Sequence, residues 1–350
     1  MTALKSSAPP MENEEGMADF RSDTVTRPTD SMREAMARAE VGDDVMGEDP
    51  TVNRLEDMAA ERLGLEAGLF VPSGTQGNLV SLLTHCGRGD EYIVGQQAHT
   101  YKYEGGGAAV LGGIQPQPLE FEPDGTLDLE RVARAIKPRD AHFARTKIVC
   151  LENTHHGRPL PMDYLPRYES FCRERGLRRH LDGARMFNAA VACGVDISNI
   201  TRHFDTVSFC LSKGLGAPVG SVVCGPADFI SEARRWRKVT GGGMRQAGII
   251  AAAGLVALEH HVDRLADDHA NAGRLAEGLA DIEGLELQGP AQTNMVFVRL
   301  PENRSTELTA YLADKGIRIV DMNPLRLVTH LDVSGDDIET TIEAFKAFFA

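Results

Sequence analysis

Six short apolar runs recur through the chain: AGLFV (67–71), EYIVG (91–95), KIVCLEN (147–153), RHLDG (179–183), TVSFCLS (206–212) and GSVVCG (220–225). Each has the length of a strand. Helix-length stretches such as TQGNLVSLLTHC (75–86), LDLERVARAIK (127–137) and DYLPRYESFCRERG (163–176) lie between them. Strands alternating with helices build a largely parallel sheet covered on both faces, because a parallel connection needs a long return. An α/β fold is therefore predicted. Asp49 and Pro50 stand in cap and first-turn order before the stripe Val52, Leu55, Ala59 and Leu63, and Gly64 is the stop.

After a glycine run at 241–243 comes a long Ala/Leu-rich helical region, 248–280. Strands LELQG (285–289) and NMVFVRL (294–300), a helix near 305–315, strands RIV (318–320) and LRLVTH (325–330) and a last helix follow. That tail reads as a smaller α+β domain. Residues 1 to 17 are polar and without periodicity, and read as a disordered leader.

Charge narrows the function classes. Thirty-seven Lys and Arg against 51 Asp and Glu leave a net −14, a surface that repels phosphate backbones and anionic lipid. Nucleic-acid and membrane partners are not expected, nor is a transmembrane helix, since no apolar run of about 18 residues occurs. The N-terminal stretch lacks the apolar region of a secretory signal. The six cysteines form no CxxC pair and sit mostly in apolar runs, so buried free thiols in the cytoplasm are expected. GxxxxGK[ST], GxSxG and HExxH are all absent, and no metal-ligand set is assigned.

Three strand-end segments fit one chemistry. In VPSGTQGN (71–78) a strand turns into a helix, so the N–H groups of Gly74 and Thr75 and the Thr75 hydroxyl can hold a phosphate; a plain helix cap at Ser73 is the simpler alternative. HLDGAR (180–185) ends a buried strand on Asp182, a carboxylate that needs a partner: a protonated pyridine nitrogen or a salt bridge to Arg185. SFCLSKGLGAPVG (208–220) brings Lys213 out of an apolar strand, which suits an amine that attacks a carbonyl; a lysine reaching to the surface is the alternative. Together they are the parts of a pyridoxal-phosphate enzyme.

These segments occur in order with DFRSDTVTRPT (19–29), EVGDDVMGEDPTVNRLE (40–56), QQAHTYKYEGGGAAVLGGIQPQP (96–118), HFARTK (142–147), LENTHHG, RWRKVTGGGMRQAG and LRLVTHLDV (325–333). From about residue 19 onward the chain resembles the threonine aldolase and β-eliminating lyase family, on its low-specificity L-threonine aldolase side. The resemblance implies a PLP-dependent transferase-like large domain (fold type I) over 18–262, with its N-terminal arm, and a small C-terminal α+β domain over 263–350. It implies pyridoxal 5'-phosphate held by Lys213, with Asp182 on the pyridine nitrogen. Ser73, Gly74 and Thr75 are implied on the phosphate, joined by Lys238 and Arg245. His99 stacks on the ring and His142 lies near the substrate hydroxyl, the two being the candidate proton acceptors. Ser22, Arg185 and Arg326 hold the substrate carboxylate, Arg185 lying beside the cofactor too.

The implied reaction is cleavage of L-threonine, L-allo-threonine and related β-hydroxy-α-amino acids to glycine and an aldehyde. Alternatives are β-elimination or transamination on the same fold, or a non-catalytic phosphate-ligand binding protein. A homodimer at least, and by resemblance a tetramer, is implied, with GDDVMGEDP and GGGMRQAG reaching across to a neighbour. Two positions depart from the family pattern: Met46 stands where Tyr is usual, and His156 where Asn is usual. His155 is placed behind the site. His260, His261 and His269 are expected on a solvated helix face.

Overall fold

The protein is described by a computed structural model over residues 17–350. Of the leader read at residues 1 to 17, all but Met17 lies outside the described residues. Twelve strands occur among those described: β1 (Ala18–Asp19), β2 (Ala67–Val71), β3 (Asp90–Gly95), β4 (Gln115–Leu119), β5 (Arg145–Glu152), β6 (Arg178–Asp182), β7 (Thr206–Cys210), β8 (Ser221–Gly225), β9 (Glu286–Leu287), β10 (Met295–Arg299), β11 (Ile317–Arg318) and β12 (Leu325–Val328).

Seven of them form the main sheet in the order β2-β8-β7-β6-β5-β3-β4. Only β8 runs against its neighbours, β2 and β7; every other pairing is parallel. The C-terminal ends of six strands therefore share one edge, the place where open α/β sheets bind ligands. The six apolar runs are all strands. β7 and β8 are buried along their whole length, as strands covered on both faces must be. The two faces alternate along each strand: Phe70 and Val222 pack into one core cluster, Leu69, Val71 and Val223 into another.

The helix Pro50–Leu63 begins and ends as its caps dictate. Asp49 accepts from the N–H groups of Thr51 and Val52, and Gly64 closes the helix at φ +66°. β4, QPQPL, was not among the strands expected. Its two prolines read as breakers, but β4 is the sheet's edge, where a missing N–H can face the open side.

A second core gathers Leu275, Leu279, Val296, Val298, Leu325, Leu327 and Phe345 around the antiparallel sheet β12-β10-β9. Phe20 and Ala18 also belong to it, since β1 pairs with β11 at the opposite end of the sequence.

The long helical region is two helices, Gly248–His260 and Leu265–Ala280. The first is buried on most sides, with Ile249, Glu259 and His260 its exposed residues. His261 is buried with Nδ1 2.8 Å from the Leu215 carbonyl, and its pKa is lowered by burial. His269 is half-buried, accepts from Asn188 at 3.2 Å, and is pushed down to about 4, again by burial. Both correct the expectation of solvated rings; His260 alone is exposed.

Candidate active site

β2 ends at Val71, and the helix Gly74–His85 starts three residues later. Ser73 Oγ caps it, accepting from the Gln76 N–H at 3.2 Å. The N–H groups of Gly74 and Thr75 have no acceptor among the described residues, as first-turn donors do not. The helix sits so close to the sheet that a Cβ on Gly74 would stand 2.8 Å from Cys210 Sγ, and one on Gly77 2.4 Å from Ser208 Oγ. Glycine at both points is what lets the helix end meet the ends of β7 and β8. Ser73 is thus used as a cap, while Gly74 and Thr75 keep donors free for an anion.

Asp182 closes β6, 4% exposed, and has no salt bridge among the described residues. It accepts from Asn78 Nδ2 at 2.9 Å and from the Ala184 N–H at 3.1 Å. Burial and the nearby Glu152 push its carboxyl up, against the pull of Lys213 and His99. A carboxylate in that state is a site for a cation. Lys213 is half-buried three residues past β7, and its charge also reaches Asp23 and His99.

His99 begins the turn after β3. Its N–H donates to Glu152 Oε2 at 2.8 Å, and its Nδ1 lies 2.8 Å from Glu104 Oε1. One polar atom from each of His99, Glu104 and Asp182 falls within 4.8 Å of the others. The Glu104 hydrogen bond holds the His99 pKa up against burial. His155 stands behind, with Nδ1 2.7 Å from Glu152 Oε1.

The alternative partner for Asp182 is taken elsewhere. Arg185 turns to Asp23, with Nε and Nη2 at 2.7 and 2.6 Å from the two carboxylate oxygens. Burial alone would raise the Asp23 carboxyl; Arg185, with Lys213 and Asn294, holds it at about 2. Arg326, on β12, donates through Nη2 to the Arg21 carbonyl at 3.1 Å, while its buried Nε has no partner. Burial and the charge of Arg185 lower the Arg326 pKa. Two guanidinium groups near enough for one charge to act on the other, one with an orphaned N–H, fit an anion. Ser22 lies half-buried beside Asp23, its Oγ accepting from the Thr24 N–H at 3.2 Å.

Three expected residues are not brought to this place within one chain. His142 is exposed on the loop before β5, with Nδ1 2.5 Å from Asp140 Oδ1. Arg245 is exposed and pairs with Asp43 at 2.7 Å. Lys238 is exposed beside Gly243, which itself packs near Val45. Met46 is exposed on the same loop surface. His156 takes φ +49°, a conformation asparagine adopts more readily than histidine, and its ring stacks on His155 at 4.2 Å. Burial, His155 and, more weakly, Arg326 affect its pKa, which is lowered to about 4, so this departure borders the anion-binding side.

Five residues at the site were missed in the sequence: Asp23, Asn78, Glu104, Glu152 and Asn294. Asp23 adjoins Ser22, and Asn78 is a polar residue inside an apolar helix; those were the available signals.

Comparison with known proteins agrees with this geometry. The β-eliminating lyase family profile matches residues 19–302. A low specificity L-threonine aldolase of Escherichia coli is 55% identical over 95% of this chain and 100% of its own length. Low-specificity L-threonine aldolase 1 of Arabidopsis thaliana is 45% identical over 94% of this chain and 95% of its own. A threonine aldolase structure from Leishmania major, 22% identical, covers 95% of this chain and 100% of its own with a TM-score of 0.83, a likeness of fold. By its match over residues 19–302 and its identity to these relatives, the chain belongs to the β-eliminating lyase family, the fold type I enzymes that work with pyridoxal 5'-phosphate.

Proposed function

We propose that this chain cleaves L-threonine, L-allo-threonine and related β-hydroxy-α-amino acids to glycine and an aldehyde, acetaldehyde from threonine. One observation carries the reading: a buried carboxylate without a cation, Asp182, stands near Lys213, and Arg185 and Arg326 sit together beside them. The first pair suits the two ends of a pyridoxal ring, and the second suits the carboxylate of an amino acid.

Pyridoxal 5'-phosphate, when bound, supplies the electron sink that lets a Cα bond break. Lys213 would hold it through Nζ. Asp182 keeps a proton on the pyridine nitrogen. Gly74 and Thr75 grip the phosphate with their free N–H groups, and Ser73 fixes the helix end that carries them. His99 would line the cofactor's place. Arg185, steadied by Asp23, would join Arg326 and Ser22 on the substrate carboxylate and fix the orientation of the amino acid. His99, His142 or a water they hold takes the β-hydroxyl proton, which starts the cleavage. His99 stands at the site within a single chain, so His142 depends on being brought there.

The chains assemble at least as a homodimer, by resemblance as a tetramer. Lys238 and Arg245 then complete a neighbour's phosphate grip. Exposed Val45, Met46, Val239 and Ile249 support a surface made to be covered. The six unpaired cysteines, five of them buried, support a cytoplasmic setting.

Purified protein incubated with each threonine diastereomer tests the reaction. Glycine and acetaldehyde should appear in equal amounts; ammonia with a keto acid would replace this reading by β-elimination. Light scattering that finds a fully active monomer would remove the assembly.

A further inference from the structure

A row of hydrogen bonds crosses the interior from the far side of the sheet to the site. His85 Nε2 lies 2.8 Å from Thr206 Oγ1, which lies 2.9 Å from His180 Nδ1. His180 Nε2 is 3.2 Å from Asn78 Oδ1, and Asn78 Nδ2 is 2.9 Å from Asp182 and 2.8 Å from Glu104. Glu104 then meets His99. Asn78, His180 and Thr206 are each at most 2% exposed.

Chemistry sets the direction of every link. Carboxylates accept, so both Nδ2 hydrogens of Asn78 are committed and its Oδ1 must accept from His180. His180 therefore carries its proton on Nε2. Burial, with His85 nearby, lowers the His180 pKa to about 3, so the ring is neutral and Nδ1 is bare. Thr206 must donate to that nitrogen, and its oxygen accepts from His85 Nε2. His85 is neutral too, lowered to about 4 by burial.

Such a row is costly as mere packing. Asparagine is a weak helix former, and position 78 lies inside the helix Gly74–His85 between apolar neighbours. Three buried polar side chains replace what apolar groups could fill. What the row does is place one amide between two buried carboxylates, one N–H on each.

We propose that Asn78, oriented by His180 and Thr206, is the positioning residue that keeps Asp182 charged toward the pyridine nitrogen and Glu104 charged toward His99. The inference rests on the reading of Asp182 given above. Without the amide, only Lys213, His99 and the Ala184 N–H oppose burial at Asp182 and only His99 opposes it at Glu104, and the two groups they serve lose their orientation.

The test compares wild type with Asn78→Ala, Thr206→Val and Ser81→Ala as holoenzymes. Ser81 is buried on the same helix and bonds only to the Gly77 carbonyl, so it reports packing alone. Asn78→Ala should lower kcat by about tenfold or more, with KM for L-threonine within about twofold, and should move the visible band of the bound cofactor. Thr206→Val touches neither carboxylate and should shift kcat and band in the same sense by less. Ser81→Ala should move neither. In the protein without cofactor, the 15N signals of His180 should show Nε2 protonated and Nδ1 bare.

A protonated Nδ1 on His180 overturns the proposal. So does a wild-type kcat and band in Asn78→Ala and Thr206→Val, with thermal stability alone reduced. If Asn78→Ala does not fold, Thr206→Val decides by the same criterion. Asp182→Asn separates the two levels: a normal rate there removes the reading of Asp182 itself. Loss at 182 without loss at 78 or 206 removes only the relay.

Discussion

The sheet edge and the loops around it supply candidate residues in different ways. On the edge, His99, Asp182, Lys213 and Arg185 come from the ends of three parallel strands, and each is tied to another site residue by a bond or a nearby charge. Away from the edge, His142 and Arg245 each pair with an aspartate, and Lys238, in the last turn of a helix, and Met46 face outward. Strand register places a side chain within a single chain. A loop residue is placed only when something covers the loop. One chain therefore brings the edge residues together and leaves these others apart.

The comparison breaks first at the edge, where effects should be largest. Lys213→Ala should abolish turnover and the borohydride-reducible visible band; a reducible band at wild-type level would mean another amine holds the cofactor. Asp182→Asn should lower cleavage at least about a hundredfold, measured as kcat with cofactor still bound, because the electron sink depends on the pyridine proton. Arg326→Ala should cost about 2–4 kcal/mol in kcat/KM, and Arg326→Lys should rescue poorly, since an ammonium lacks the planar two-point grip. An unchanged kcat/KM with a lower Tm would make this arginine structural.

Asp23 sharpens the comparison through pH. Its folded pKa of about 2 lies below the ordinary 3.8, so its ion pair stabilises the fold above pH 4 and is lost as pH falls toward 2. The difference is worth about 2 kcal/mol. The stability gap between wild type and Asp23→Asn in denaturant titrations should therefore shrink from pH 5 to pH 2; a constant gap would deny the pairing. The smallest effect belongs to the loops. Arg245→Ala removes an exposed ion pair and should change stability by less than about 1 kcal/mol, while cofactor affinity of the assembled protein falls. Unchanged affinity would take Arg245 out of any phosphate grip.

The edge was legible because its residues follow apolar runs that announce their own ends. Asp182 and Lys213 each close such a run, and Ser73, Gly74 and Thr75 follow another. Their partners were not legible. Asp23 meets Arg185 across 162 positions, and Asn78 meets Asp182 across 104, and no local pattern records either meeting. β4 was hidden by prolines that only its edge position permits. His261 looked solvated because the burial of the helix before it depends on the whole packed core.

The pairing of β1 with β11 orders events in time. Phe20 O accepts from the Val328 N–H, Asp19 O lies 2.7 Å from His330 Nε2, and the Arg27 N–H donates to Asp332. Ser22 and Asp23 hang on these bonds, so these residues are seated by others made about 300 positions later. A nascent chain that has emerged through β8 carries Lys213, Asp182 and the phosphate-binding helix end, but has no strand on which to anchor Ser22 and Asp23. Such a chain has the residues that face the cofactor before it has seated those that face an amino acid. Ribosome-arrested chains halted before Ile317 should take up pyridoxal phosphate yet give no spectral response to glycine, and a response there would show that the arm seats itself without its distant partner.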